Sequence, residues 1–483
     1  MSLARKAVRG AVWTIALSVG SRIFGVISTI AIAYFISPAI DGEVKAAWFI
    51  AFTASTATRF GFDQYVIVKQ DEGSDVVFHC TVLMIVLGVV SLSLVLAFGD
   101  RFGAFLNAPG MGQYIPLAVI GVGLRRVAHV PHRVLVRDLR FRIAAVAEAI
   151  SEIVYVVSAL SMAYYGWGGY AIVIGNVIQA VVLLGIVSMA AGWRSWLQPC
   201  RLSWTRVRDI FRFGLPLNFN TLLYIISTSW DSLMVSYRFG VQQMGLYDKA
   251  YNLATIPTAH VGEHIGGVLL PSMAKIEPHR RVDVLLRSSA ILAILLFPMA
   301  VGLGVVSGPL VAVLLPENWQ GVAPFLMVLA SMSIFRPLSS VMDSYLKVQD
   351  RTRLLFMAEL LKSTVLFSAI FAAPTAVWAS VGVGVGFAVQ TVGMILVLRV
   401  TDKISPLRFI PGFLGPLAAC GVMAAAVLGV RYALIATGVN NEFVLLAVEI
   451  GVGAVSYVPA AFVCAPATTR DVIGLLRKAF KRG

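Results

Sequence analysis

The chain has 483 residues, 58% of them hydrophobic and only 13% charged, with a formal net charge of +15. A soluble chain of that composition would expose far more apolar surface than water tolerates, which excludes a soluble globular enzyme and makes lipid the covering solvent. Apolar runs long enough to cross about 30 Å of hydrocarbon recur from end to end, with no polar stretch between them that could form a separate soluble domain.

The amino terminus, Met1-Ser-Leu-Ala-Arg-Lys6, leads into an apolar stretch that holds Arg22 and has no small-residue cleavage site. It reads as a retained first helix rather than a removable signal peptide. In chain order, spans are predicted near residues 11–36, 44–68, 77–98, 113–136, 142–163 and 168–190. A second series follows near 210–236, 247–274, 287–314, 322–346, 354–371 and 378–398, with a last pair near 411–430 and 443–465. The fold class is therefore an all-α integral membrane protein of about 14 transmembrane helices.

The connections differ sharply in charge. Twenty-eight Lys and Arg fall on the side of the amino terminus and five on the other, with six inside spans. The positive-inside rule then places both termini in the cytoplasm and accounts for the net charge without nucleic acid. The four cysteines, Cys80, Cys200, Cys420 and Cys464, lack the close pairing or His company of metal and redox motifs and read as inert packing residues.

Sliding the chain against itself reveals a repeat. Ser37-Pro-Ala-Ile-Asp-Gly42 matches Gly240-Val-Gln-Gln-Met-Gly245 at an offset of 203. Arg125, Arg140, Arg142 and Glu148 match Arg336, Arg351, Arg353 and Glu359 at an offset of 211. Six spans separate the copies, so both halves share one orientation, related by a pseudo-two-fold axis along the membrane normal. This divides the chain into a first lobe over 1–190, a linker over 191–209, a second lobe over 210–400, two extra helices over 401–465 and a basic tail over 466–483.

A cation at bilayer depth costs a few kcal/mol, so each one needs a partner or a wet cavity. Arg22, Arg59, Arg125, Arg126 and Arg336 are the cations expected to line a central cavity. Arg59 and Asp63 are spaced for a local ion pair on one helical face, and adjacent Arg125 and Arg126 cannot share a face, leaving one of them for a structural role. Pro337 should weaken or kink the helix beside Arg336. Lys362 with Glu359, and Lys347 with Asp343, read as intrahelical pairs near the cytoplasmic rim, and Glu148 and Glu359 as partners of the Arg-x-Arg loops. Glu449 has no obvious local cation, and Asp231 and Glu263, with Asp63, are candidates for gating or coupling pairs. His260-Val-Gly-Glu263-His264 matches an inverted zincin pattern, but it sits in an apolar span without a third ligand and reads as polar helix packing. No nucleotide or hydrolase motif accompanies it, so neither an enzyme nor a metal or other cofactor is expected.

Several further elements carry a family likeness: Phe60-Gly61-Phe62-Asp63, Arg137-Asp-Leu-Arg-Phe-Arg142, Gly166-Trp-Gly-Gly-Tyr170, Phe213-Gly214-Leu-Pro216, Gly245-Leu-Tyr247, Pro257 and Leu270-Pro271. With the Ser37–Gly42 connection, Asp231 and Phe239-Gly240, they resemble the exopolysaccharide branch of the bacterial polysaccharide repeat-unit (Wzx-type) flippases, in the multidrug/oligosaccharidyl-lipid/polysaccharide (MOP) superfamily. The resemblance implies two six-helix lobes with alternating access, in an inner-membrane flippase of undecaprenyl-diphosphate-linked oligosaccharides. It adds membrane lipids, a polysaccharide polymerase and export machinery as partners, and a cationic lumen for the diphosphate and any acidic sugar. Arg guanidinium suits that task because it offers fixed paired donors to anionic oxygens. A cation-coupled multidrug exporter of the same fold is the alternative, and a lipid scaffold or assembly subunit without transport is a third reading.

Overall fold

The structure, a computed structural model, describes residues 20, 24–68, 73–255, 273, 276–439 and 441–480. These residues are helical, with short turns between helices and no strand among them. By compactness the chain forms two units, the first ending at Gly245 and the second beginning at Leu246.

The first unit contains α1 (Phe24–Ala33), α2 (Pro38–Ala57), α3 (Phe62–Val68), α4 (Gly73–Phe105), α5 (Ile115–Arg137), α6 (Phe141–Tyr164), α7 (Gly169–Ala191), the single turn α8 (Arg194–Leu197) and α9 (Trp204–Phe239). The described part of α10, 241–255, passes into the second unit. There follow α11 (Pro278–Val305), α12 (Ser307–Leu314), α13 (Val322–Met332), α14 (Phe335–Val348), α15 (Thr352–Ala372), α16 (Ala376–Thr401), α17 (Ile410–Ala436), α18 (Glu442–Cys464) and α19 (Pro466–Phe480). The surface is apolar where a soluble protein would be polar: Val86, Val89, Val90 and Leu94 on α4 are all exposed. In water such a face would be a liability, whereas in lipid it is the covering the backbone requires.

Local chemistry sets the helix ends. Ser37 caps α2, its hydroxyl accepting from the Ile40 N–H, and Pro38 stands in the first turn, where its missing donor costs nothing. The predicted continuous span over 44–68 is instead two helices. Between them, Phe60 and Gly61 both take positive φ, 46° and 60°. Asn218 of α9 bridges this break, accepting from the Phe60 N–H at 3.2 Å and donating to the Ala57 carbonyl at 2.8 Å. A Cβ on Gly214 would lie 1.6 Å from the Phe60 carbonyl oxygen, so α9 can approach the break only through a glycine. The Phe60-Gly61-Phe62 and Phe213-Gly214 motifs are thus two sides of one contact. In the second unit the spans of α11 and α13 break at Val306 and at Ser333–Ile334, and each break is followed by a proline, Pro309 or Pro337, in the first turn of the next helix.

Residues paired by the repeat recur in matching local geometry. The turn after α5 places Leu139 at φ 56° with the Arg140 N–H on the Leu135 carbonyl; the turn after α14 places Asp350 at φ 56° with the Arg351 N–H on the Leu346 carbonyl. Before α5, Gly110 donates its N–H to the Glu43 carboxylate at 3.1 Å. Its counterpart at offset 211, Gly321, packs against Leu246, the counterpart of Glu43 at offset 203. The matched glycines Gly42 and Gly245 lie at a single crossing within the first unit. A Cβ on Gly42 would lie 2.3 Å from the Val241 carbonyl oxygen, and one on Gly245 would lie 2.0 Å from that of Pro38.

Candidate functional site

The first unit encloses a cavity of about 310 Å³ between α2, α5 and α7. Its walls combine an aromatic pair, Trp48 and Phe52, with Arg59, Arg125, Arg126, His129 and Asn176. Trp48 and Phe52 stack in parallel, with ring centroids 4.8 Å apart and an interplanar angle of 9°. Three of the five predicted cavity arginines are therefore gathered at one place, for physically different reasons.

Arg126 is 2% exposed, and each of its three guanidinium nitrogens donates a hydrogen bond. Its guanidinium donates to the Met84 carbonyl at 2.6 Å, to the Thr58 carbonyl at 2.7 Å and hydroxyl at 3.0 Å, and to the Ser55 carbonyl. It takes the structural role left open for one of the adjacent pair, stitching the end of α2 to α4 and α5. Gly88 makes room for it, since a Cβ there would lie 2.6 Å from its Nε. Arg125 makes a loose ion pair to Glu148, at 3.7 Å with both side chains over a third exposed, and lies in electrostatic reach of Glu152. Such a contact is worth little and leaves the guanidinium available.

Arg59 and Asp63 do not share a helical face, because the break at Phe60-Gly61 lies between them. Asp63 pairs with Arg133 at 3.2 Å while staying in electrostatic reach of Arg59, and the buried Nε of Arg59 has no hydrogen-bond partner among the described residues. Arg336 stands at the start of α14, donates to the Tyr251 hydroxyl at 2.6 Å and lies over the rings of Tyr251 and Phe387, at 4.7 and 4.4 Å. The space beside it is only about 10 Å³, roughly the least that holds one water. Asp231 is buried in α9, where it accepts from the Ser232 N–H. Arg22, Glu263 and the His260–His264 motif lie outside the described residues.

Other ionic readings change. Two arginines of the Arg-x-Arg loops have other partners, Arg140 donating to the Ala190 carbonyl and Arg351 to Asp402, while Glu148 faces Arg125 and Glu359 holds Lys362 at 2.5 Å and accepts from Gln390. Glu449 does have a cation. Arg431, taken from the sequence as a loop residue, lies inside α17 and grips the fully buried Glu449 through two bonds of 2.6 Å. The helix runs on to Ala436, six residues past the predicted end of that span.

Cys200 does have His company, supplied by α4 rather than by neighbours in sequence. Asp75, His79 and Cys200 bring one ligand atom each within 4.8 Å of one another. Both nitrogens of His79 are nevertheless engaged. Nδ1 donates to the Asp75 carbonyl at 2.8 Å, and Nε2 accepts from the Ser203 N–H at 2.9 Å. A metal on Nδ1 would force the proton onto Nε2, against that N–H, so the cluster fits a clasp between α4 and the following linker better than a metal centre. In the linker, burial and the Asp75 carboxylate hold the Cys200 thiol up at about 11.

Among the described residues nine helical segments, α13 and α14 counted together as one, are long and apolar enough to cross a membrane, which makes this a multi-pass membrane protein. A family profile described as "Polysaccharide biosynthesis protein" matches residues 31–324. The chain belongs to that family. It is 24% identical over 371 residues to the succinoglycan biosynthesis transport protein ExoT of Rhizobium meliloti (strain 1021), covering 76% of this chain and 74% of that one. It is also 24% identical over 405 residues to the lipopolysaccharide biosynthesis protein WzxC of Escherichia coli (strain K12), covering 82% and 81%. Among solved structures, lipid II flippase MurJ in an inward closed conformation matches with a TM-score of 0.76 at 13% identity, over 96% of this chain and 100% of that one. That likeness is one of fold.

Proposed function

We propose that the protein is a flippase that turns undecaprenyl-diphosphate-linked oligosaccharides from the cytoplasmic to the periplasmic leaflet of a bacterial inner membrane. In this reading it works by alternating access of two lobes, 1–190 and 210–400, joined by 191–209, and needs no bound cofactor. The observation that carries the reading is the first-unit cavity, where Arg59 and Arg125 stand among apolar helices. A guanidinium kept from bulk water without a full set of protein acceptors is a standing cost that an anionic ligand removes. Relatives named for transport or biosynthesis of succinoglycan and lipopolysaccharide support a glycan cargo.

A flippase must bind this anion and release it, so moderate rather than saturated pairing of Arg125 is what turnover requires. The test is polymer export by cells carrying Arg59→Gln or Arg125→Gln at wild-type protein level. Both should lose most of their export. Export at the wild-type rate from the double variant would overturn the assignment.

A further inference from the structure

The strap that joins α7 to α9, residues 192–212 with the first turns of α9, has two sides of opposite character. Its inner side is fastened to α4. Trp196 is buried and packs with Val77, Cys80 and Val134, the Thr81 hydroxyl donates to the Trp196 carbonyl at 3.0 Å, and the Ser203 N–H donates to His79 at 2.9 Å. Its outer side carries Trp193, Leu202 and Trp204, which are 61, 59 and 79% exposed. Exposed arginines alternate with them at 194, 201, 208 and 212, and Arg194 lies over the Trp193 ring at 5.4 Å. Asp209 is the only acid in the strap. In water two bare indoles and a leucine would be a standing cost.

The depth of this surface follows from the helices on either side. α7 has 23 residues and a length of about 34 Å, little more than the roughly 30 Å of hydrocarbon it must cross. Trp193, two residues past its end, therefore stands at the headgroup layer. Val181, Met189 and Trp193 recur at multiples of four residues and are all exposed, so one lipid-facing column of α7 runs onto the strap. At the far end, α9 starts at Trp204 and holds Arg206, Arg208 and Arg212 before its apolar part begins, too many cations for hydrocarbon, which puts it at the same level.

We infer that the outer side of the strap is a binding surface for anionic phospholipid headgroups, which hold the segment between the two repeat copies at the membrane surface. Indole rings favour the boundary between hydrocarbon and headgroups, and guanidinium forks take phosphate oxygens in pairs. Four exposed arginines against one exposed aspartate select an anionic headgroup over a zwitterionic one. Their spread along the strap suits several lipids side by side rather than a single diphosphate. A soluble protein fits less well, because it would have to push headgroups aside to reach Trp193. Nothing in this surface depends on what the protein carries.

The experiment is native mass spectrometry of the full-length protein, released from micelles holding equal amounts of dioleoylphosphatidylglycerol and dioleoylphosphatidylcholine. The wild type should retain phosphatidylglycerol about tenfold more than phosphatidylcholine. Replacing Arg194, Arg201 and Arg208 together by Gln should remove most of that preference, and replacing them by Lys should keep most of it, since attraction to a charged leaflet needs the charge more than the fork. In nanodiscs of the same two lipids, the tryptophan emission that is lost in the Trp193→Phe/Trp204→Phe double variant should be shielded from acrylamide, a water-soluble quencher. Equal retention of the two lipids by the wild type, or an unchanged preference in the Gln variant, would overturn the inference. Full access of acrylamide to that emission would overturn it too and point to a soluble partner. Displacement of phosphatidylglycerol by an equal amount of undecaprenyl diphosphate would assign the surface to the cargo instead.

Discussion

Adjacent arginines on α5 have opposite fates, and the difference can be measured. Arg126→Met would strand the Met84, Ser55 and Thr58 carbonyls inside the first unit, and should cost about 3–5 kcal/mol, seen as a lower unfolding temperature and less protein in the membrane. Arg125→Gln should leave the unfolding temperature nearly unchanged while export falls, because its one ion pair is loose. Cys200 gives a pH-dependent readout. Its thiol stays protonated until about pH 11, so maleimide labelling should be slow at neutral pH and rise about tenfold per pH unit towards 11. Asp75→Asn removes the neighbouring negative charge, lowers the thiol's pKa, and should speed neutral labelling; a slower rate would contradict the clasp. Arg22, central in the first predicted span and without an acid three or four residues away, keeps its proposed substrate role: Arg22→Gln should abolish or strongly reduce export, with Arg22→Lys intermediate.

Broken and paired helices make their own predictions. Asn218→Leu leaves both the Phe60 N–H and the Ala57 carbonyl unmet at the break between α2 and α3, a loss of about 1–3 kcal/mol. Gly214→Ala should be worse, since no rotation of α9 moves a Cβ off the Phe60 oxygen without parting the helices. Arg431→Leu or Glu449→Leu alone would bury a lone charge between α17 and α18, at about 3–5 kcal/mol, whereas the double leucine variant should recover most of the lost stability. Thermal unfolding in detergent distinguishes these cases, and a double variant as unstable as either single one would mean the pair is needed for more than charge balance. The positions of the spans were legible because lipid demands long apolar runs. Their interruptions were not: Phe60-Gly61-Phe62 reads as more of the same apolar run, and only the Asn218 side chain, 158 residues away from Phe60, allows the backbone to open there.

For the molecule as a whole, the internal duplication was readable from charges, because Arg125, Arg140 and Glu148 recur in register with Arg336, Arg351 and Glu359. The cavity's aromatic and amide lining was not. Trp48, Phe52 and Asn176 sit among residues that face lipid at similar spacing, and a sequence does not say which side of a helix meets its neighbours. Topology remains to be measured: with 28 basic residues on one side, reporter fusions should place both termini in the cytoplasm and Gly166–Tyr170 in the periplasm. A periplasmic carboxyl terminus would break the even span count.

The glycine crossing in the first unit has a historical meaning. Pro38 meets Gly245 as Val241 meets Gly42, and the two contacts are related by a single offset of 203. An interface in which each side presents the same two repeat positions to the other has the geometry of a contact between two identical chains. A half-length ancestor could therefore have assembled as a homodimer through this crossing before its gene was duplicated and fused. Two halves in one chain are free to differ where two identical chains are not, and Arg125 and Arg336 do: the first faces Glu148 loosely, the second lies over the rings of Tyr251 and Phe387.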